Sequence, residues 1–221
     1  MSLTRAPAPA VPAPIRVHTF IDGQNLYHAV QRQFGYANPN YDAVKLSRAI
    51  TSLFPSRTLV QVHFYTGVHR ADVNAPLHNF WSNKLQAMRR AGVSVSFRYL
   101  KYSDQEFVDA AGARYVFRVP REKGIDLRLG LYLVKLARKN EYDLAIVFSQ
   151  DTDLREAVQE VFDLRREMNR WMAVECAYPQ GPGNLQHGIP GIRQIRFDRA
   201  LYDTCIDPDT KKYWIASAKK S

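Results

Sequence analysis

Asp22, Asp126, Asp151 and Asp153 are the residues of this chain whose type and placement could do chemistry. Asp22 closes the apolar run Val17–Ile21, and Asp151 and Asp153 follow a second run, Leu144–Phe148. Both runs have the continuous apolar character of strands buried on two faces. Asp126 opens an amphipathic stretch that leads toward the second run. In an open α/β sheet, ligands bind beyond the carboxyl ends of the strands. Carboxylates gathered there without His or Cys partners make a hard oxygen site suited to Mg²⁺ or Mn²⁺. The chemistry such a site supports is metal-dependent phosphoryl transfer.

Each aspartate taken singly also has an ordinary structural role. Asp22-Gly23 is a common turn pair, Asp151 could cap a following helix, and Asp126 could answer a helix dipole. The pair Asp151 and Asp153 weighs against that reading, because two carboxylates so close repel unless a cation or proton intervenes. Neighbouring residues extend the candidate site. Asn25 lies one helical turn beyond Asp22, Ser149 and Thr152 bracket Asp151 as hydroxyl donors, and Lys123 precedes Asp126 as a cation able to steady phosphate charge.

The elements that must position these groups alternate between strand and helix, the signature of a doubly wound, mainly parallel α/β sheet with helices on both faces. Strands are expected at Val17–Ile21, Leu59–Thr66, Val93–Leu100, Asp143–Ser149, Trp171–Tyr178 and Ile192–Phe197. Helices are expected over Gly23–Phe34, Tyr41–Phe54, Asn74–Ala91, Ile125–Arg138 and Asp153–Arg170. Between Lys101 and Lys123 the alternation of Tyr115, Phe117 and Val119 with Arg114, Val116 and Arg118 suggests an inserted hairpin. Residues 1–14, alternating Pro and Ala, are expected to be a flexible tail; residues 15–206 form one domain, and residues 207–221 a basic tail.

The chain has 221 residues and a formal net charge of +10, from 31 Lys and Arg against 21 Asp and Glu. The length suits one good core. A basic excess beside an acidic site favours a polyanionic partner, nucleic acid above all. Arg98, Lys101, Arg114, Arg118 and Arg121 on the hairpin are the expected phosphate contacts, with Tyr99, Tyr102 and Tyr115 available to stack on unpaired bases. No run approaches the ~20 apolar residues of a membrane span. Cys176 and Cys205 have no metal-type spacing and fit a reducing, cytoplasmic setting.

Three segments together resemble the NYN-domain family of the PIN-like nuclease superfamily: Phe20-Ile21-Asp22-Gly23-Gln24-Asn25-Leu26, Lys123-Gly124-Ile125-Asp126-Leu127, and Tyr142 to Phe148 followed by Ser149-Gln150-Asp151-Thr152-Asp153. Their order and spacing match over Arg16 to Ala177. The resemblance implies a PIN-like α/β fold and Mg²⁺- or Mn²⁺-dependent cleavage of RNA. It makes Asp22, Asp126, Asp151 and Asp153 the acidic cluster and Asn25 a contact behind it or to substrate. Gln150 stands where the family usually has Gly, which permits φ > 0, and Thr152 where it usually has Ser.

The expected function is therefore hydrolysis of single-stranded RNA. DNA stays open as a substrate, because nothing in the sequence reads a 2′-hydroxyl, and so does homo-oligomerisation. Two alternatives compete: an NYN fold that holds RNA or protein without cutting, and a haloacid-dehalogenase-type phosphatase. The phosphatase needs D-x-D after its first strand, where this chain has Asp22-Gly23-Gln24.

Overall fold

The computed structural model describes residues 9–110, 112–121, 123–182 and 187–213. Six parallel strands form the central sheet: β1 (Ile15–Asp22), β2 (Arg57–Val68), β3 (Ser94–Tyr99), β6 (Leu144–Phe148), β7 (Ala173–Pro179) and β8 (Arg193–Phe197). Their spatial order is β3-β2-β1-β6-β7-β8. The chain winds outward from β1 through β2 to β3, then returns to β1's other edge and winds through β6 and β7 to β8. The crevice between β1 and β6 is thus the topological switch point, where a doubly wound sheet opens for ligand.

Alternation along β1 explains why both faces must be covered. Val17 and Ile21 enter one apolar cluster, and Phe20 enters the other. The first cluster is completed by α1 (Gly23–Phe34), α2 (Ala43–Thr51), α3 (Ala75–Arg90) and α6 (Arg199–Thr204), which contribute Leu26, Leu46, Phe80 and Tyr202. The second is completed by α4 (Ile125–Arg138) and α5 (Arg155–Glu167), through Leu129, Leu133, Val158 and Val161. Gly130 lets α4 and α5 close together, since a Cβ there would lie 3.1 Å from the Ala157 Cβ. That approach holds the amino ends of the two helices side by side.

The inserted segment is an antiparallel pair, β4 (Lys101–Val108) and β5 (Arg114–Arg121), separate from the main sheet. Its register pairs Asp104 with Arg118, Gln105 with Phe117 and Phe107 with Tyr115. Successive residues face opposite ways, so Phe107, Tyr115 and Phe117 share one face. Phe107 and Phe117 are more than half exposed and Tyr115 nearly so. The arm carries four cations from Lys101 to Arg121, but Asp104, Glu106 and Asp109 are interleaved with them.

Several boundaries differ from the sequence expectation by a few residues, and two of the differences change what the elements do. The helix expected from Asp153 begins as a 3₁₀ turn over Thr152–Leu154, becomes α-helical at Arg155, and ends before Asn169, whose φ of 43° leaves the helical region. The body also extends beyond residue 206. Asp207 accepts a hydrogen bond from the buried Lys84 Nζ at 3.2 Å and Tyr213 packs on Phe80, so residues 207–213 close over α3. A buried lysine requires such a partner. Residues 1–8 and 214–221 of the expected tails lie outside the described residues.

A buried histidine pair gives the core a pH signature. His18 and His63 approach at 3.1 Å between Nδ1 and Nε2, and the Phe20 ring stacks on His63. Burial lowers both pKa values to about 4. The unfolded chain gains these protons first, near the ordinary histidine value of about 6.5. The pair's contribution to stability is therefore complete above about pH 6.5 and is lost as pH falls toward about 4. Thermal unfolding followed between those pH values should show a steeper fall for the parent than for His63→Phe.

Candidate active site at the sheet switch point

Asp22 ends β1 and caps α1, its Oδ1 accepting the Asn25 backbone N–H at 3.0 Å. Immediately beyond β6, Ser149 Oγ donates to Asp22 Oδ2 at 3.3 Å and accepts the Asp151 N–H at 3.1 Å. Asp151 in turn caps the 3₁₀ turn by accepting the Asp153 N–H at 3.0 Å. The two strand ends are thus tied by one hydroxyl. Asn25 adds a second tie: its side-chain oxygen accepts the Gln150 N–H at 2.9 Å. With that oxygen engaged, the Asn25 NH₂ group has no hydrogen-bond partner among the described residues.

Asp126 reaches the same place from the first turn of α4. Carboxylate oxygens of Asp126, Asp151 and Asp153 all lie within 4.8 Å of one another. Asp22 stands behind this trio, buried, and linked to Asp151 through Ser149. Burial is the main cause that pushes the Asp22 carboxyl up to about 6, and the charge of Asp151 adds to it, against the hydrogen bonds from Asn25 and Ser149. Among the described residues no Lys, Arg or His pairs with any of the four.

Carboxylates elsewhere in this fold are treated differently. Asp143, just before β6, accepts from Arg16 Nε at 3.0 Å and pairs with Arg170 at 3.1 Å. Burial alone would raise its pKa, but those hydrogen bonds hold it below the usual carboxylate value. Glu175 in β7 receives both Arg57 nitrogens at 2.7 Å. The fold pairs its buried Asp143 and Glu175 with arginines but gives the buried Asp22 no cation; Asp126 and Asp151 are half-buried and Asp153 is exposed. An all-oxygen donor set of this kind fits a divalent cation such as Mg²⁺ or Mn²⁺.

The other expected residues fall around this centre in different ways. Lys123 is exposed, two positions before α4, and the intervening Gly124 begins the helix at φ 74°. Arg98, at the end of β3, covers that entry: its Nη1 donates to the Lys123 carbonyl at 3.4 Å. Thr152 is exposed in the 3₁₀ turn. Lys101, Arg114, Arg118 and Arg121 lie on the hairpin arm, whose second strand directly precedes α4 in the chain. Tyr102 is engaged by His69 at 2.9 Å, whereas Tyr99 is exposed. Gln150 takes the usual glycine position without left-handed backbone, since its φ is not positive. Its amide donates to the His187 carbonyl at 3.2 Å, a role invisible from local sequence.

Gly23 is the tightest backbone position beside the site. A Cβ there would approach the Phe64 Cζ to 2.6 Å and the Tyr65 carbonyl to 3.0 Å. Gly23→Ala should therefore force α1 away from β2 and destabilise the protein by about 1–3 kcal/mol. Urea unfolding would measure the loss.

The fold and site together define a doubly wound α/β protein with an acidic centre at its switch point. A family model for the NYN domain matches residues 16–180. The chain belongs to the NYN-domain family, within the PIN-like nuclease superfamily. No curated protein matches it. A crystal structure of a protein of unknown function from Vibrio parahaemolyticus is similar at 15% identity and TM-score 0.44, covering 87% of this chain and 90% of that one. Ribokinase from Giardia lamblia is similar at 12% identity and TM-score 0.38, covering 80% of this chain and 55% of that one. No helix among the described residues is long and apolar enough to cross a membrane.

Proposed function

We propose that this chain is a Mg²⁺- or Mn²⁺-dependent ribonuclease that cleaves phosphodiester bonds in single-stranded RNA. The observation that carries the reading is the uncompensated set of aspartates at the switch point, in a fold that pairs Asp143 and Glu175 with arginines. Asp126, Asp151 and Asp153 would hold the cation, with Asp22 completing the acidic set from behind. A divalent ion there supplies Lewis-acid stabilisation of phosphate charge and acidifies water at neutral pH.

The chain's own groups do the positioning. Asn25, its oxygen fixed by Gln150, presents its NH₂ toward substrate or water. Ser149 keeps Asp22 and the Asp151 turn in register, and Thr152 offers a further hydroxyl. Lys123 contributes positive charge beside Asp126. Arg98, Lys101, Arg114, Arg118 and Arg121 hold the strand through its phosphates. A cytoplasmic location belongs to the same reading.

Circular single-stranded RNA provides the test, because only an endonuclease can open it. Linear product should appear with Mg²⁺ or Mn²⁺ and disappear with EDTA, and a circular DNA run in parallel defines the sugar requirement. Cleavage indifferent to EDTA, or no cleavage with either metal, would count against the proposal.

A further inference from the structure

A cleft opens at the start of α1, next in the chain to Asp22. It has a volume of about 350 Å³ and is lined by Gly23, Gln24, Tyr27, Asn38, His69, Trp81 and Pro120, among others. Those residues come from the start of α1, the loop after it, the end of β2, the middle of α3 and the last turn of the arm. The cleft therefore lies at the same carboxyl edge of the sheet as the acids. Asp22 and Gln24 flank Gly23, so the acidic centre and the cleft share one helix start.

The lining is specific in kind. Tyr27 provides half-buried aromatic surface, with the buried Trp81 behind it in the lining, and Gln24, Asn38 and His69 provide side chains that both donate and accept hydrogen bonds. His69 is held in place, with Nδ1 against the Tyr102 hydroxyl at 2.9 Å and its carbonyl oxygen 2.9 Å from His78 Nδ1. Its Nε2 has no partner among the described residues, and burial lowers its pKa from the ordinary value. A neutral imidazole with one nitrogen engaged presents a single defined donor or acceptor at the other. The volume lies at the lower end of the ~300–1,000 Å³ range of small-molecule sites. That size suits one planar heterocycle with its sugar and is too small for a folded or helical segment.

We propose that this cleft is a subsite for one unpaired nucleobase, held against Tyr27 and read by Gln24, Asn38 and His69 beside the acidic centre. The assignment rests on the nuclease reading for its place along the RNA, but not for the binding itself. The arm reaches the cleft at Pro120, and Gly23 and Gln24 of the cleft follow Asp22 directly in the chain. A strand following that course would set one base before its phosphate meets the aspartates, which would give cleavage a base preference.

The experiment is a metal-free titration of the full chain with each 5′-nucleoside monophosphate, followed by tryptophan fluorescence, with ribose 5-phosphate as the base-free control. The expected result is saturable binding with one nucleotide favoured by about tenfold or more over the others, as one well-made hydrogen bond supplies. Gln24→Leu and His69→Phe should each weaken that nucleotide by a similar factor while Mn²⁺ binding, measured separately, matches the parent. No saturable binding into the millimolar range, equal binding of ribose 5-phosphate, or binding unchanged in both variants would overturn the assignment. Selective nucleotide binding in a protein that cleaves no RNA would sink the nuclease reading and leave the subsite standing. Metal-dependent cleavage without nucleotide binding would do the reverse.

Discussion

Asp22→Asn is expected to make the metal-free protein more stable at pH 8 and, in the same variant, to lower metal-dependent RNA cleavage by about 10²-fold or more, the scale on which loss of a preorganised electrostatic group acts. The stability gain follows from where the carboxylate lies. Burial raises its pKa from 3.8 to about 6, so the folded state holds the proton more tightly than the unfolded chain does. The associated stability is present below about pH 4 and is lost as pH rises through about 6. At pH 8 the buried charge opposes folding. A neutral amide removes that penalty, on the order of 1–3 kcal/mol from the size of the shift. Asn also caps a helix as well as Asp does, so α1 keeps its first turn. Chemical unfolding at pH 8 with EDTA would measure the gain, and a loss of stability would mean that Asp22 has a structural partner this account omits.

The second large effect concerns the arm. Neutralising Arg114, Arg118 and Arg121 together should weaken single-stranded RNA binding at low salt by at least about tenfold. It should also flatten the salt dependence of log K by up to about 2, since each lost phosphate contact on a single strand removes about 0.7. Arg118 faces Asp104 across the arm, so its share of that change should be the smallest. Cleavage at saturating RNA should survive in the triple variant, because the proposed reading gives the chemistry to the aspartates. Lys123→Ala should behave in the opposite way, lowering the single-turnover rate with little change in affinity. A triple variant that binds like the parent, with the same slope, would remove the arm from the RNA path and shift attention to Arg89 and Arg90.

Much of the fold was legible because its signals are local. The run Leu144–Phe148 is apolar throughout, as a strand buried on both faces requires, and Val17–Ile21 keeps apolar residues at its ends around the buried His18 and Thr19. The helix at Ile125–Arg138 has the expected bounds, because Leu129 and Leu133 mark its buried side and Gly124 its left-handed entry. Asp22, Asp151 and Asp153 follow strand ends at the switch point, where a doubly wound fold gathers polar groups, and Asp126 comes to them from the first turn of α4.

What escaped the sequence depends on pairing over long separations. Asp104 and Arg118 look like members of separate charge runs until the register sets them opposite each other. Lys84 reads as a surface lysine of α3, and its burial is explained by the distant Tyr41 carbonyl and the returning Asp207, both of which accept from its Nζ. Gln150 departs from the family's usual glycine, yet its partners are Asn25 and His187, far away in the chain. The cleft beside Asp22 draws on residues from Gly23 to Pro120, a set that no local window brings together. Asp22 itself was expected as an equal member of the cluster; the trio that closes within 4.8 Å is Asp126, Asp151 and Asp153, with Asp22 one hydroxyl behind.

The central claim is that the switch-point aspartates hold a divalent cation to cut RNA. Its most direct test is the single-turnover rate of single-stranded RNA cleavage against Mn²⁺ concentration, in the parent and in Asp151→Asn purified identically. The account predicts a saturable metal dependence in the parent and a rate lower by about 10²-fold or more in the variant, with RNA affinity retained. Equal rates in the two proteins, at any metal concentration, would contradict it.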